Sequence, residues 1–281
     1  MLLACTHEPG PNTNETEGPV GPECNSSYTI SGTSIEMVGC SAGTFAMGSQ
    51  DTGDTGIIDE NPMHEVELTR AFYIGRTEVT QAQYEDVTSV NPSAFTACDT
   101  CPVEQVSWYM AANFARELSA REGLEECYTC NSAATQLWCA PVKSPYECGG
   151  YRLPTEAEWE YIALCGDDWL YAGSDEIDRV AWHKDNSEGM SQAVARKAAN
   201  ACGIHDMSGN VFEWTNDWYA SDTYSQSPRT DPTGPEEGEE RTLRGGGWNA
   251  SEENLRVKRR FDGSPDNANN RVGFRLARTA P

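Results

Sequence analysis

Eleven cysteines in 281 residues, none after Cys202, constrain this chain more than any other feature. Thiols at that density persist as disulfides in oxidising compartments and are rare in reduced ones. A chain stapled at many points can fold with little regular secondary structure, because each closed loop has lost entropy before folding begins. Cys127, Cys130, Cys139 and Cys148 cluster in one stretch. Four thiolates can close a tetrahedral zinc site, but the second pair lacks the short spacing of such sites. Two disulfides are therefore expected, with all three connectivities open. Cys98 and Cys101 have the Cys-x-x-Cys spacing of redox motifs, yet no βαβ pattern surrounds them, so a structural bridge is expected. Cys24 can tie the N-terminal stretch to Cys40. Cys165 and Cys202 either pair or stay as buried thiols.

The formal net charge is -24, with four lysines in the whole chain. That disfavours nucleic acid, where cationic side chains supply most of the affinity; solubility through self-repulsion is the preferred reading. No stretch approaches the ~20 apolar residues that span a bilayer. Leu2-Leu3-Ala4-Cys5 resembles a bacterial lipobox, in which Cys5 would be lipidated. The charged and apolar parts of a signal peptide are missing ahead of it, which implies a late start or a processed fragment; a chance match is the alternative. Residues 6–33 are rich in Gly, Pro, Asn, Thr, Ser and Glu and predict a flexible spacer. The expected organisation is a lipobox-like tether over 1–33 and one domain over 34–281, with a Cys-rich insertion at about 125–150. The expected location is exported, periplasmic or cell-surface, with membrane contact only through the lipid.

From Ile35 the pattern becomes short strands and turns. Phe72-Tyr73-Ile74 predicts a strand, and Thr80 an N-cap for a helix from Gln81. Ser107 predicts a second cap, with Ala111, Phe114, Ala115 and Leu118 on one helical face. Thr155 and Glu158 have the spacing of a capping box. Trp108, Trp159, Trp182, Trp214, Trp218 and Trp248 are candidate core residues. The four histidines are scattered, no Gly-x-Ser-x-Gly elbow occurs, and Gly245-Gly246-Gly247 is followed by no phosphate-loop lysine. The triple glycine instead suits a tight turn under Trp248.

Six runs in order carry a resemblance that extends from about Ile35 to Ala280: Gly43–Ser49, Pro62–Val66 with Glu78–Tyr84, Pro102–Trp108, Tyr151–Glu160, Gly203–Trp218 and Arg271–Arg275, joined by Arg244-Gly245-Gly246-Gly247-Trp248-Asn249-Ala250. The chain resembles the formylglycine-generating enzyme (sulfatase-modifying factor) family. The resemblance implies an α+β, C-type-lectin-like fold with low regular secondary structure and many ordered loops.

In active family members two C-terminal cysteines bind copper(I) and carry out the oxidation. Here Ala250 and Leu255 fall at the matching positions, and Gly247 falls where the family has serine. Copper(I) selects thiolates, so no copper and no formylglycine-generating oxidation are expected. The resemblance also implies calcium, held by Asp206 and Glu213 with the carbonyls of Gly209 and Val211. Hard oxygen donors on an irregular loop suit that ion; a turn whose carboxylates bond backbone amides is the alternative. A second family site begins at Asn186 and the Ser187 carbonyl.

In the family, the region that the Asn-rich stretch from Asn249 to Arg271 resembles lines the substrate cleft. Trp248, Asn249, Asn254, Arg256 and Arg259 form the candidate ligand surface. Arg256, Lys258, Arg259 and Arg260 either receive an anionic or peptide ligand or pair with nearby acids, the latter being preferred. The leading expectation is a calcium-stabilised, disulfide-stapled binding domain whose partner is a protein, peptide or small ligand. The alternatives are an oxidase or other diverged enzyme using the same cleft, and a C-type-lectin-like binding protein diversified by a retroelement.

Overall fold

In a computed structural model, which describes residues 21–50, 59–131, 137–226 and 228–281, short strands are held by long-range pairing rather than by length. The first five strands are β1 (Ser26–Thr29), β2 (Glu36–Cys40), β3 (Gly43–Met47), β4 (His64–Leu68) and β5 (Phe72–Gly75). Next come β6 (Tyr128–Asn131), β7 (Trp138–Pro141) and β8 (Phe212–Trp218). The last four are β9 (Arg241–Arg244), β10 (Phe261–Gly263), β11 (Val272–Gly273) and β12 (Ala277–Thr279). One four-stranded sheet runs β1-β2-β5-β12, so the C-terminal strand closes on the N-terminal ones. The other runs β10-β9-β8-β11, with β11 parallel to β8. The pairs β3-β4 and β6-β7 complete the set. β4 reads His64-Glu65-Val66-Glu67-Leu68, and its burial alternates as the period of two demands.

Three longer helices fill the space around the sheets. Helix α1 (Gln81–Thr88) starts at Thr80, whose hydroxyl accepts from the Gln83 amide while the Gln83 side chain accepts from the Thr80 amide. Helix α2 (Trp108–Arg121) is capped by Ser107 and buries Ala111, Phe114, Ala115 and Leu118. Helix α3 (Glu156–Leu164) carries the expected capping box between Thr155 and Glu158. Each cap satisfies amides that the helix itself cannot.

Every residue of α3 is buried, three glutamates included. Buried charges need partners, and arginines supply them. Arg152 forks onto Glu158 at 2.7 and 2.8 Å. Arg244 reaches Glu156 at 3.0 Å and Glu160 at 2.6 Å. Arg260 grips Glu156 at 2.7 and 2.9 Å. The Tyr151–Glu160 run is therefore a clamp that fixes β9 and the C-terminal loops to α3. Trp108, Trp159 and Trp214 are fully buried. Trp182, Trp218 and Trp248 are only partly so, which narrows the core expected from sequence.

Five disulfides are formed: Cys24–Cys40, Cys98–Cys101, Cys127–Cys148, Cys130–Cys139 and Cys165–Cys202. In the cluster the outer and inner pairs nest, with Cys130 and Cys139 directly opposite each other in the β6-β7 ladder. One expectation needs correction. The spacer expected over residues 6–33 ends earlier, because Ser26–Thr29 pairs with β2. Its polar composition hides Tyr28, which packs edge-on against Tyr73 at 4.9 Å between ring centroids. Cys5 and the rest of residues 1–20 lie outside the described residues.

Candidate functional site: a buried carboxylate cluster and an open cleft

The loop entering β8 is wound tightly. Asp206, Gly209 and Asn210 all take positive φ, at 58°, 86° and 61°. At Gly209 a Cβ would stand 2.2 Å from the Trp182 carbonyl oxygen, so only glycine fits. The loop is pinned by Gly209 N to Gly245 O (2.8 Å), Asn210 N to Trp182 O (3.0 Å) and Trp248 N to Asn210 O (2.6 Å). These bonds tie it to the triple-glycine turn, where Gly245 and Gly246 also have positive φ.

This winding buries the acids that the sequence singled out. Glu213 is fully buried and held by Arg275, with Nε to Oε2 and Nη2 to Oε1 both at 2.6 Å; Trp159 Nε1 donates to Oε2 at 2.8 Å. Asp206 Oδ2 accepts from the Ala195 amide at 2.7 Å, and its buried Oδ1 has no partner. A third carboxylate, absent from the expected ligand set, belongs to Glu78, just ahead of the cap of α1. It is fully buried and both its oxygens lack a partner. Burial drives the Glu78 carboxyl well above the usual carboxylate range, the charges of Asp206 and then Glu213 add to this, and Arg275 opposes it. Burial likewise pushes the Asp206 carboxyl up to about 6.

Three carboxylates thus face one guanidinium, and three buried oxygens accept nothing. Acceptors in that condition are satisfied by protons or by a hard cation. Among the described residues no three His, Cys, Asp or Glu side chains form a ready-made metal cluster. A cation here would need backbone carbonyls as well.

Asn186 and Ser187 are placed differently. Asn186 Oδ1 accepts from His183 N at 2.8 Å, and its amide nitrogen donates to Asp178 and to the Ala181 carbonyl. The Ser187 carbonyl accepts from Gln192 Nε2 at 2.7 Å. Both oxygens are engaged by N–H donors, and no unpartnered carboxylate joins them.

At the C-terminal frame, Leu255 is fully buried and Ala250 nearly so. The two belong to one apolar cluster with Tyr171, Val180 and Ala181. A Cβ at Gly247 would meet the Phe212 ring at 3.0 Å, which leaves little room for a serine side chain. Trp248 sits half-buried against Phe95, its Nε1 donating to the Asn270 carbonyl at 2.8 Å.

An open cleft of about 1050 Å³ lies between the 168–175 loop and the 252–259 strip. Asn254, Arg256 and Arg259 line it; Trp248 and Asn249 do not. Arg256 forks onto the buried Glu60 at 2.7 and 2.9 Å. Arg259 pairs with Asp59 at 3.2 Å, and Lys258 with Asp168 at 2.7 Å. The pairing alternative for the basic strip is the one the geometry shows.

The sulfatase-modifying factor enzyme 1-like domain (FGE-sulfatase) matches residues 31–280. The chain belongs to the formylglycine-generating enzyme, or sulfatase-modifying factor, family, and its mixed α+β architecture is that family's fold. It is 34% identical over 210 residues to Chaperone protein LppX of Paenibacillus barcinonensis, covering 64% of this chain and 70% of that one. It is 30% identical over 277 residues to the formylglycine-generating enzyme of Streptomyces coelicolor, covering 85% and 87%. It spans 38% of the length of Serine/threonine-protein kinase pkn1 of Chlamydia caviae, at 32% identity. Among solved structures, Treponema denticola variable protein 1 superposes with a TM-score of 0.80 at 33% identity, covering 91% of this chain and 99% of that one.

Glu78, Asp59 and Glu60 escaped the sequence reading. Glu78 stands inside a recognised run, beside the Thr80 cap, and a charge next to a buried strand was the available signal. Nothing local marks Glu60, which is 196 positions from Arg256.

Proposed function

We propose that this chain is a binding domain rather than an oxidase, stabilised by calcium and carried by an exported protein. The observation that carries this reading is the state of Ala250 and Leu255. The positions matched to the family's thiols pack in an apolar cluster, and no cysteine follows Cys202. Ten of the eleven cysteines are held in disulfides, so soft-metal thiolates are lacking among the described residues. Those five bridges also support an oxidising compartment; lipidation at Cys5 would place the domain at a membrane surface.

Calcium would be held by Asp206 and Glu213 with the carbonyls of Gly209 and Val211; Glu213 would first give up Arg275 and Trp159 as donors, and Glu78 would move in to join the set. The orphaned oxygens of Glu78 and Asp206 support this set. At the second site the Asn186 and Ser187 oxygens are engaged and no orphaned carboxylate accompanies them, so the proposal is confined to the first, where three buried oxygens are unpartnered.

The enzyme alternative draws on the Streptomyces coelicolor relative. Incubating the oxidised protein with copper(I), dioxygen and a Cys-x-Pro-x-Arg peptide, and reading aldehyde by mass spectrometry, tests it. No aldehyde is expected; its formation, with turnover, would reject the binding reading. The likeness to Treponema denticola variable protein 1 favours a variable binding protein as a second reading. An adenine-divergent copy of the 3′ coding region beside a reverse-transcriptase gene would establish it, and a gene without such a copy would reject it.

A further inference from the structure

The open cleft has a polarity opposite to the one its arginines suggest. Each of its three cations is already held by an acid: Arg256 by Glu60, Arg259 by Asp59, Lys258 by Asp168. Two of those acids, Asp59 and Glu60, are themselves buried, so the pairs are part of the wall. The remaining charged lining residues are Asp175, Glu252 and Glu253, and among the described residues none of them forms an ion pair; the ion pairs of the cleft belong to Arg256, Arg259 and Lys258. Against them the same cleft exposes apolar surface. Trp169 is 44% exposed and Leu170 45% exposed, in a protein that buries most of its large apolar side chains. The walls are pre-formed: Val257 N donates to Leu170 O at 2.9 Å, and Leu170 N donates to Asp175 Oδ1 at 2.8 Å.

We propose that this cleft takes a short peptide segment in which lysine or arginine alternates with apolar side chains. The volume, about 1050 Å³, accommodates a drug-sized or short-peptide occupant. Uncompensated carboxylates select a cation, and Trp169 offers a face over which an ammonium or guanidinium gains further attraction. An apolar neighbour in the peptide would cover Leu170. The inference rests on the binding reading of the domain and adds to it a ligand class.

Isothermal titration calorimetry on the full-length oxidised protein tests this with Ac-Leu-Arg-Leu-Arg-amide, its citrulline analogue, Ac-Leu-Glu-Leu-Glu-amide and spermidine. The arginine peptide is expected to bind roughly tenfold more tightly than the citrulline one, and to weaken as salt rises. Glu252→Gln and Trp169→Ala are each expected to weaken it about two- to fivefold with melting temperatures unchanged, the size of an exposed charge pair or cation–π contact. No binding, equal binding of the citrulline or glutamate peptide, or indifference to both substitutions would overturn the proposal. Spermidine binding as tightly as the arginine peptide would overturn the peptide occupant. Aldehyde formation in the oxidase assay sinks the binding reading itself; its absence together with silent titrations sinks this inference alone.

Discussion

Replacing Glu78 with glutamine should change the sign of its effect with calcium. Glu78 is fully buried with two unpartnered oxygens, and the acids Asp206 and Glu213 outnumber the one guanidinium of Arg275 around it. Without a cation, the wild-type cluster carries an unsatisfied carboxyl whose burial costs about 1–3 kcal/mol. Glutamine keeps the shape and cannot ionise, so Glu78→Gln in EGTA should recover a stability of that order at a pH above the raised titration of Glu78, where the wild-type carboxyl must carry its charge buried. A domain near this size shifts its melting temperature by roughly 2–4 °C per kcal/mol. With calcium at a hundred times its dissociation constant, the wild type should gain about 2.7 kcal/mol, and the variant, having lost a ligand, should gain far less. Differential scanning calorimetry of both proteins in EGTA and in calcium reads this directly. The expected pattern is a crossing: the variant melts higher in EGTA and lower in calcium. Calcium shifting neither protein, or the variant losing stability equally in both buffers, would refute the reasoning.

Glu156 neutralises both Arg244 and Arg260 inside α3's clamp. Glu156→Ala should cost about 3–5 kcal/mol, the usual penalty for orphaning a buried charge, read as a fall in the urea midpoint; a change within error would show the clamp to be redundant. Asp217 gives a pH signature. Its carboxyl is pushed up to about 8, chiefly by burial and then by the charge of Glu156, while it accepts the Glu156 amide at 2.8 Å. The native state therefore holds a proton that the unfolded chain releases near pH 4, so this contribution is full below about pH 4 and is lost as pH rises to about 8. Asp217→Asn keeps the acceptor and should flatten that fall, leaving the variant more stable than wild type at pH 9; parallel urea-midpoint profiles for the two proteins would contradict it.

The parts of this fold legible in the sequence are those with local causes. Thr80, Ser107 and Thr155 cap their helices because a hydroxyl reaches an amide only a few residues on. The preference for disulfides over zinc in the Cys127–Cys148 cluster followed from spacing and compartment, although the nested pairing did not. What escaped is non-local. Ser26–Thr29 reads as spacer until β2 supplies its partner. Glu78 becomes chemically interesting only where the chain returns at Asp206 and Glu213. The basic strip kept two readings open because its neutralising acids, Asp59 and Glu60, come from the other end of the chain. Family motifs singled out the candidate loop, while the balance of charge around it comes from contacts that no spacing encodes.

Copper(I) partition is the most direct measure of whether this frame has kept an oxidant. The protein carrying Cys5→Ser, fully oxidised at its five bridges, would be titrated into the coloured copper(I) complex of bathocuproine disulfonate under nitrogen. The absorbance should stay constant, because the residues after Cys202 offer no thiolate to compete. Withdrawal of one equivalent of copper, followed by dioxygen uptake when a thiol peptide is added, would contradict the account at its centre.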